Sequence, residues 1–137
     1  MALLLSCAGA DENEDLKMYR LAYDGVELSF PRALLFQDVE RPDSAKIYRV
    51  FEDDAQVVTL YLGNHPDFSD AAREVILRHS SAHDVVCGDR NQPRVSLECW
   101  VEFGGLSWPQ RAHVIFLEDG FGRDDMARFL TGLRHRG

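Results

Sequence analysis

The sequence predicts an α+β fold, an antiparallel sheet built from hairpins with helices packed on it. Three observations carry this expectation. Runs of alternating apolar and polar residues recur along the chain, and turn-forming residues separate them at hairpin spacing. Two other stretches, one central and one C-terminal, carry apolar residues at helical period. Together they give the order ββ, ββ, α, ββ, α.

In the first hairpin Tyr19, Leu21 and Tyr23 alternate with Arg20 and Ala22, and Val26, Leu28 and Phe30 alternate with Glu27 and Ser29. Asp24-Gly25 between the two runs predicts a tight type I′ turn, whose central positions both need positive φ. Pro31 ends the second strand. From Arg32 to Ser44 no period is clear, and the segment reads as a long connection with room for one helical turn. Lys46 to Phe51 and Gln56 to Leu62 form the next hairpin around Glu52-Asp53-Asp54-Ala55. The second of these strands is apolar on both faces, which predicts a central position in the sheet.

Gly63-Asn64-His65-Pro66 breaks that strand, and Ser69 then suits the N-cap of a helix. Its buried stripe is Ala72, Val75, Ile76 and His79, with Asp70 placed favourably for the helix dipole. From Arg94 to Phe103 strand alternation returns, with Val95, Leu97, Cys99, Val101 and Phe103 opposite Ser96, Glu98, Trp100 and Glu102. Gly104 to Pro109 turns the chain into a strand from Arg111 to Leu117. In the closing helix Met126, Phe129, Leu130 and Leu133 form the core stripe. Asp124 and Asp125 occupy its first turn, and Arg134, His135 and Arg136 complement its carboxyl end.

A chain of 137 residues is the size of one domain, and no apolar run approaches the ~18 residues of a membrane-spanning helix. The formal charge of −8 opposes nucleic acid and anionic lipid and suits a basic protein partner. Eleven residues, including Gly88, Asn91 and Pro93, separate Cys87 from Cys99, so two short strands can run back past each other and be stapled. Closing a loop of that size contributes about 3 kcal/mol in the chain-entropy model. The cysteines offer no CxxC spacing, and no histidine lies close to both of them in sequence, so zinc is a poor alternative.

Leu4-Leu5-Ser6-Cys7 resembles the lipobox of bacterial lipoproteins. The resemblance implies lipidation at Cys7, a periplasmic, membrane-tethered address, and an oxidising compartment that leaves Cys87 and Cys99 to pair. It makes residues 1–17 a signal remnant followed by an acidic tether (Asp11, Glu12, Glu14, Asp15), and residues 18–137 a single α+β domain. Six residues precede Cys7, with no Lys or Arg among them, so the expectation is a leader that begins upstream of Met1. The words Val26-Glu27-Leu28-Ser29-Phe30-Pro31, Leu60-Tyr61-Leu62, Val114-Ile115-Phe116 and Phe129-Leu130-Thr131-Gly132-Leu133-Arg134 are similar to the PsbP-like fold of small envelope lipoproteins. That resemblance spans Tyr19 to His135 and implies architecture rather than activity.

No local motif supplies a reaction. Ser80, Ser81, His83 and Asp84 are serine-hydrolase residue types without a GxSxG elbow. His65, His79, His83, His113 and His135 show no ligand spacing on one element, and Glu118 to Asp125 lacks the EF-hand pattern. The expectation is therefore a non-enzyme without metal or cofactor.

Loops remain as the means of recognition. Glu52, Asp53 and Asp54 put three adjacent carboxylates on one hairpin tip, and Leu106, Ser107 and Trp108 put a large aromatic on another. Small size, acidity and address resemble those of immunity proteins, which protect bacteria against secreted cell-wall hydrolases such as those delivered by type VI secretion. The expected partner is such a toxin, its active-site groove occluded by this chain, monomeric when free. The alternative is a PsbP-like envelope or assembly lipoprotein that binds a housekeeping protein or a small ligand.

Overall fold

The computed structural model describes residues 16–39, 45–64, 78–79, 84–88, 93–104 and 107–136. Cys7, the acidic tether, Leu106, Ser80, Ser81, His65, His83 and most of the helix expected from Ser69 lie outside them.

The described chain is mostly strand. A small antiparallel sheet has the order β1 (Lys17–Leu21), β2 (Val26–Phe30), β10 (Leu133–His135). A larger one is built from β3 (Leu35–Val39), β4 (Lys46–Glu52), β5 (Ala55–Gly63), β6 (Arg78–His79), β7 (Asp84–Gly88), β8 (Val95–Glu102) and β9 (Arg111–Leu117). Its order is β3-β4-β5-β9-β8-β7-β6, every neighbour antiparallel. One helix, α1 (Arg123–Gly132), is present among the described residues. The expected α+β arrangement of the PsbP-like type, helices packed on a sheet, is thus corrected to a mainly β fold of two antiparallel sheets.

Alternation decides which face each strand buries. Val58, Leu60 and Leu62 of β5 share a face with Ala112, Val114 and Phe116 of β9 and with Leu97, Cys99 and Val101 of β8, and all nine are shielded from solvent. Val26, Leu28 and Phe30 of β2 and Met126, Phe129 and Leu130 of α1 complete the same core. Four phenylalanines join the layers. The Phe30 ring lies 5.0 Å from Phe121 and 6.2 Å from Phe129, and Phe116 lies 5.8 Å from Phe129. Each fully buried phenylalanine contributes roughly 2–3 kcal/mol of transfer free energy.

Three stretches depart from the sequence reading, each for a tertiary reason. Ala22, Tyr23 and Asp24 all adopt positive φ (51°, 58° and 66°), so the first hairpin has a four-residue connection instead of a two-residue Asp-Gly turn. Tyr48 Oη accepts the Ala22 N–H at 2.9 Å, which holds Ala22 out of the ladder and buries it. The supposed loop after Arg32 contains β3. Tyr19 Oη donates to the Arg32 carbonyl and accepts from Leu34 N–H, pinning the crossing that delivers the chain to β4's free side. His79, expected on a helical stripe, stands in strand register with Val85.

The closing helix ends earlier than its apolar stripe suggests. Leu133 is buried, but its backbone is extended (φ −86°, ψ 120°), and it pairs with Leu28 as the first residue of β10. Arg134 and His135 are therefore strand residues, and Arg136 pairs with Glu27 rather than capping a helix.

Candidate protein-binding site

The tip of the β4–β5 hairpin is a two-residue turn, Asp53-Asp54, closed by Glu52 opposite Ala55. Asp53 adopts φ 56°, a left-handed conformation that Asp tolerates better than most residues. The expected trio of carboxylates divides here. Glu52 is committed inward, where Arg32 Nε donates to its Oε2 at 2.5 Å while Arg32 Nη2 donates to Asp125 Oδ2 of α1 at 2.8 Å. The Arg32 guanidinium also lies 5.4 Å from the centre of the Phe30 ring. These hydrogen bonds, Glu52 first and then Asp125, push the Arg32 pKa above its ordinary value. Asp53 and Asp54 remain exposed, with no ion pair among the described residues.

Beside this turn, Leu35 of β3 stands directly across the ladder from Phe51 of β4. Phe36, one residue on, packs against the core, so Leu35 and Phe51 point to the opposite face, where Leu35 is 64% exposed. A groove of about 410 Å³ is lined by Leu35, Phe36, Gln37, Phe51, Asp53 and Asp54. Its floor is apolar and its rim is acidic. An apolar patch framed by carboxylates suits a partner that presents an apolar side chain next to a Lys or Arg.

The second expected tip lies elsewhere. Strand directions place Asp53-Asp54 at the end of the sheet shared by Ala55 and Leu117, and the connection carrying Trp108 at the end shared by Gly63 and Arg111. The length of β5 separates the two ends by roughly 26 Å at ~3.3 Å per residue. Ser107 is exposed, but Trp108 is half-buried against the core, and its buried Nε1 has no hydrogen-bond partner among the described residues. The Trp108-Pro109 bond is cis.

The aromatic that projects at this end is Tyr23, 82% exposed, its ring 6.1 Å from Trp108. Lys46 Nζ sits 5.0 Å over the same ring and bonds Asp38, whose hydrogen bond raises the Lys46 pKa above its ordinary value. Strand alternation hid Tyr23 by assigning it to the hairpin's first strand.

Cys87 and Cys99 form a disulfide across the β7–β8 register, their Cα atoms 4.1 Å apart and both residues fully buried. On the other face of β8, a cluster that the sequence reading passed over brings His113 Nε2 within 2.5 Å of Glu98 Oε2. Trp100 stacks on the His113 ring at 4.8 Å, and Tyr61 is His113's register neighbour on β5. Alternation set Glu98 on the face opposite Leu97, Cys99 and Val101, and there it is fully buried. A carboxyl group so placed needs the partner that the imidazole supplies. No cluster of three or more His, Cys, Asp or Glu stands in metal-binding geometry among the described residues.

Comparison with protein-family models, with curated proteins and with solved structures finds no match to this chain.

Proposed function

We propose that this chain is a non-enzymatic protein-binding module of the immunity type, which occludes the basic substrate groove of a secreted peptidoglycan-degrading toxin. The observation that carries the reading is the cross-strand pair of exposed Leu35 and half-buried Phe51 beside the carboxylates of Asp53 and Asp54, which have no ion pair among the described residues. A formal charge of −8 supports a cationic partner through electrostatic steering. The Cys87–Cys99 disulfide accords with an oxidising compartment, and the lipobox likeness at Leu4 to Cys7 accords with an envelope address. On this reading Cys7 carries the anchor and the acidic segment after it is the tether.

The test mixes the purified chain with cell-wall hydrolases encoded beside its gene and follows peptidoglycan cleavage. Stoichiometric inhibition is expected, with association slowed by added salt and by Asp53→Lys combined with Asp54→Lys. Undiminished cleavage at a molar excess of the chain, for every neighbouring hydrolase, removes the reading.

A further inference from the structure

We infer that β3 is a strand-acceptor edge, which pairs with an extended basic segment of the partner and so extends the seven-stranded sheet by one strand. The inference rests on the proposed binding function and specifies how the partner is held.

Leu35–Val39 pairs with β4 along one side only, and no residue of β3 has a backbone partner on the other side among the described residues. Alternate residues of a strand turn their N–H and C=O groups to the same edge, so this side of β3 offers a row of main-chain hydrogen-bonding groups that no described residue pairs.

Proteins usually blunt such an edge with proline, lysine, bulges or very short strands. By contrast β3 contains no proline and no lysine, and its ladder with β4 runs through five pairs without a bulge. Its single charge, Asp38, is engaged by Lys46. With Leu35, Gln37 and Asp38 exposed, nothing along the strand turns away an incoming backbone.

The flanking chemistry selects the occupant. A strand laid along β3 places alternate side chains on the face that carries Leu35 and Phe51, where an apolar residue fills the groove. A Lys or Arg beside it reaches Asp53 and Asp54. A second copy of this chain is a poorer match, because it brings a further charge of −8 and the same acidic turn.

The probe is a seven-residue lysine–valine peptide, Lys-Thr-Val-Thr-Lys-Thr-Val, whose lysines and valines share one face of an extended strand, compared with the same peptide carrying proline at each valine. Hydrogen exchange of the protein's amides is followed in both titrations. Amide protection confined to β3 is expected with the lysine–valine peptide, and binding at least about tenfold weaker is expected with the proline peptide. Gln37→Pro, checked for a native circular-dichroism spectrum, should lose the protection, and Leu35→Glu provides a second variant that leaves the backbone intact.

Equal binding of both peptides, or binding without protection of β3, overturns strand addition. A dimer in sedimentation that Leu35→Glu dissolves overturns the choice of occupant, as does undiminished peptide binding by Asp53→Lys combined with Asp54→Lys. Peptide binding as expected, together with failure to inhibit any hydrolase, leaves the strand site standing and removes the immunity reading alone.

Discussion

Arg32 and Glu52, twenty residues apart in sequence, meet through Nε and Oε2 at 2.5 Å, and the same guanidinium reaches Asp125 in the first turn of α1. One cation thus joins the end of β4 to the start of the helix, and it relieves the repulsion among the carboxylates of the hairpin tip. Asp53 and Asp54, in the turn that follows Glu52, remain exposed.

Arg32→Ala should lower stability by about 1 kcal/mol, since its side chain is 42% exposed and solvent screens the pairs. Glu52→Gln should cost less, because Arg32 keeps Asp125. Urea unfolding at low and high salt checks both. The Arg32 effect should shrink as salt rises, and a stability unchanged at low salt would rule out the bridge as a stabilising element.

Reduction of the Cys87–Cys99 bond should destabilise the fold by about 3 kcal/mol in the chain-entropy account, which counts the loop it closes in the unfolded chain. The paired variant Cys87→Ala with Cys99→Ala should match the reduced protein within the cost of the two small cavities. Thermal melts with and without reductant measure the difference. Identical melting in both conditions contradicts the prediction.

Much of the sheet was legible because its strands alternate cleanly. Residues 46–63, 95–102 and 111–117 show it, and β5's two apolar faces announced its central place. What the sequence hid depends on contacts between distant residues. The strand β3 relies on Tyr19 to pin its approach, and β10 begins at Leu133, whose side chain continues the helical stripe while its backbone has already become extended. The turn carboxylates Asp53 and Asp54 could be read locally. The pairing of Glu52 could not, because its partner Arg32 lies twenty residues away and no local pattern marks the contact. Likewise, Leu35 becomes part of a site only when the ladder sets it across from Phe51.

At the end of α1, Gly132 lies so close to β2 that an added Cβ would sit 2.1 Å from the Ser29 carbonyl oxygen. That obstacle is backbone and cannot rotate aside. Gly132→Ala should therefore cost more than about 2 kcal/mol by forcing the helix away from the small sheet. Gly122, the helix N-cap, has no atom within 4 Å of its own added Cβ and no side-chain capping bond. Gly122→Ser is the control, expected to be neutral or to stabilise by a few tenths, about 0.3 kcal/mol. Equal unfolding midpoints for the two variants would contradict the close approach.

The two hairpin ends should separate binding from folding. Asp53 and Asp54 lie beside the Leu35–Phe51 groove, so reversing both charges should slow association with a basic partner, flatten its salt dependence and leave the melting temperature nearly unchanged. Trp108 stands at the opposite end, half-buried against the core, where its truncation removes packing and exposes the ring of Tyr23 further. Trp108→Ala should lower stability by roughly 2 kcal/mol, less than the cost of deleting a fully buried tryptophan, and leave the dissociation rate of the partner unchanged. Surface-plasmon kinetics with an inhibited hydrolase, read beside thermal melts of the same variants, tests both statements. Faster dissociation from a folded Trp108→Ala variant, with normal kinetics after charge reversal, would move the binding surface to the Tyr23 end of the sheet.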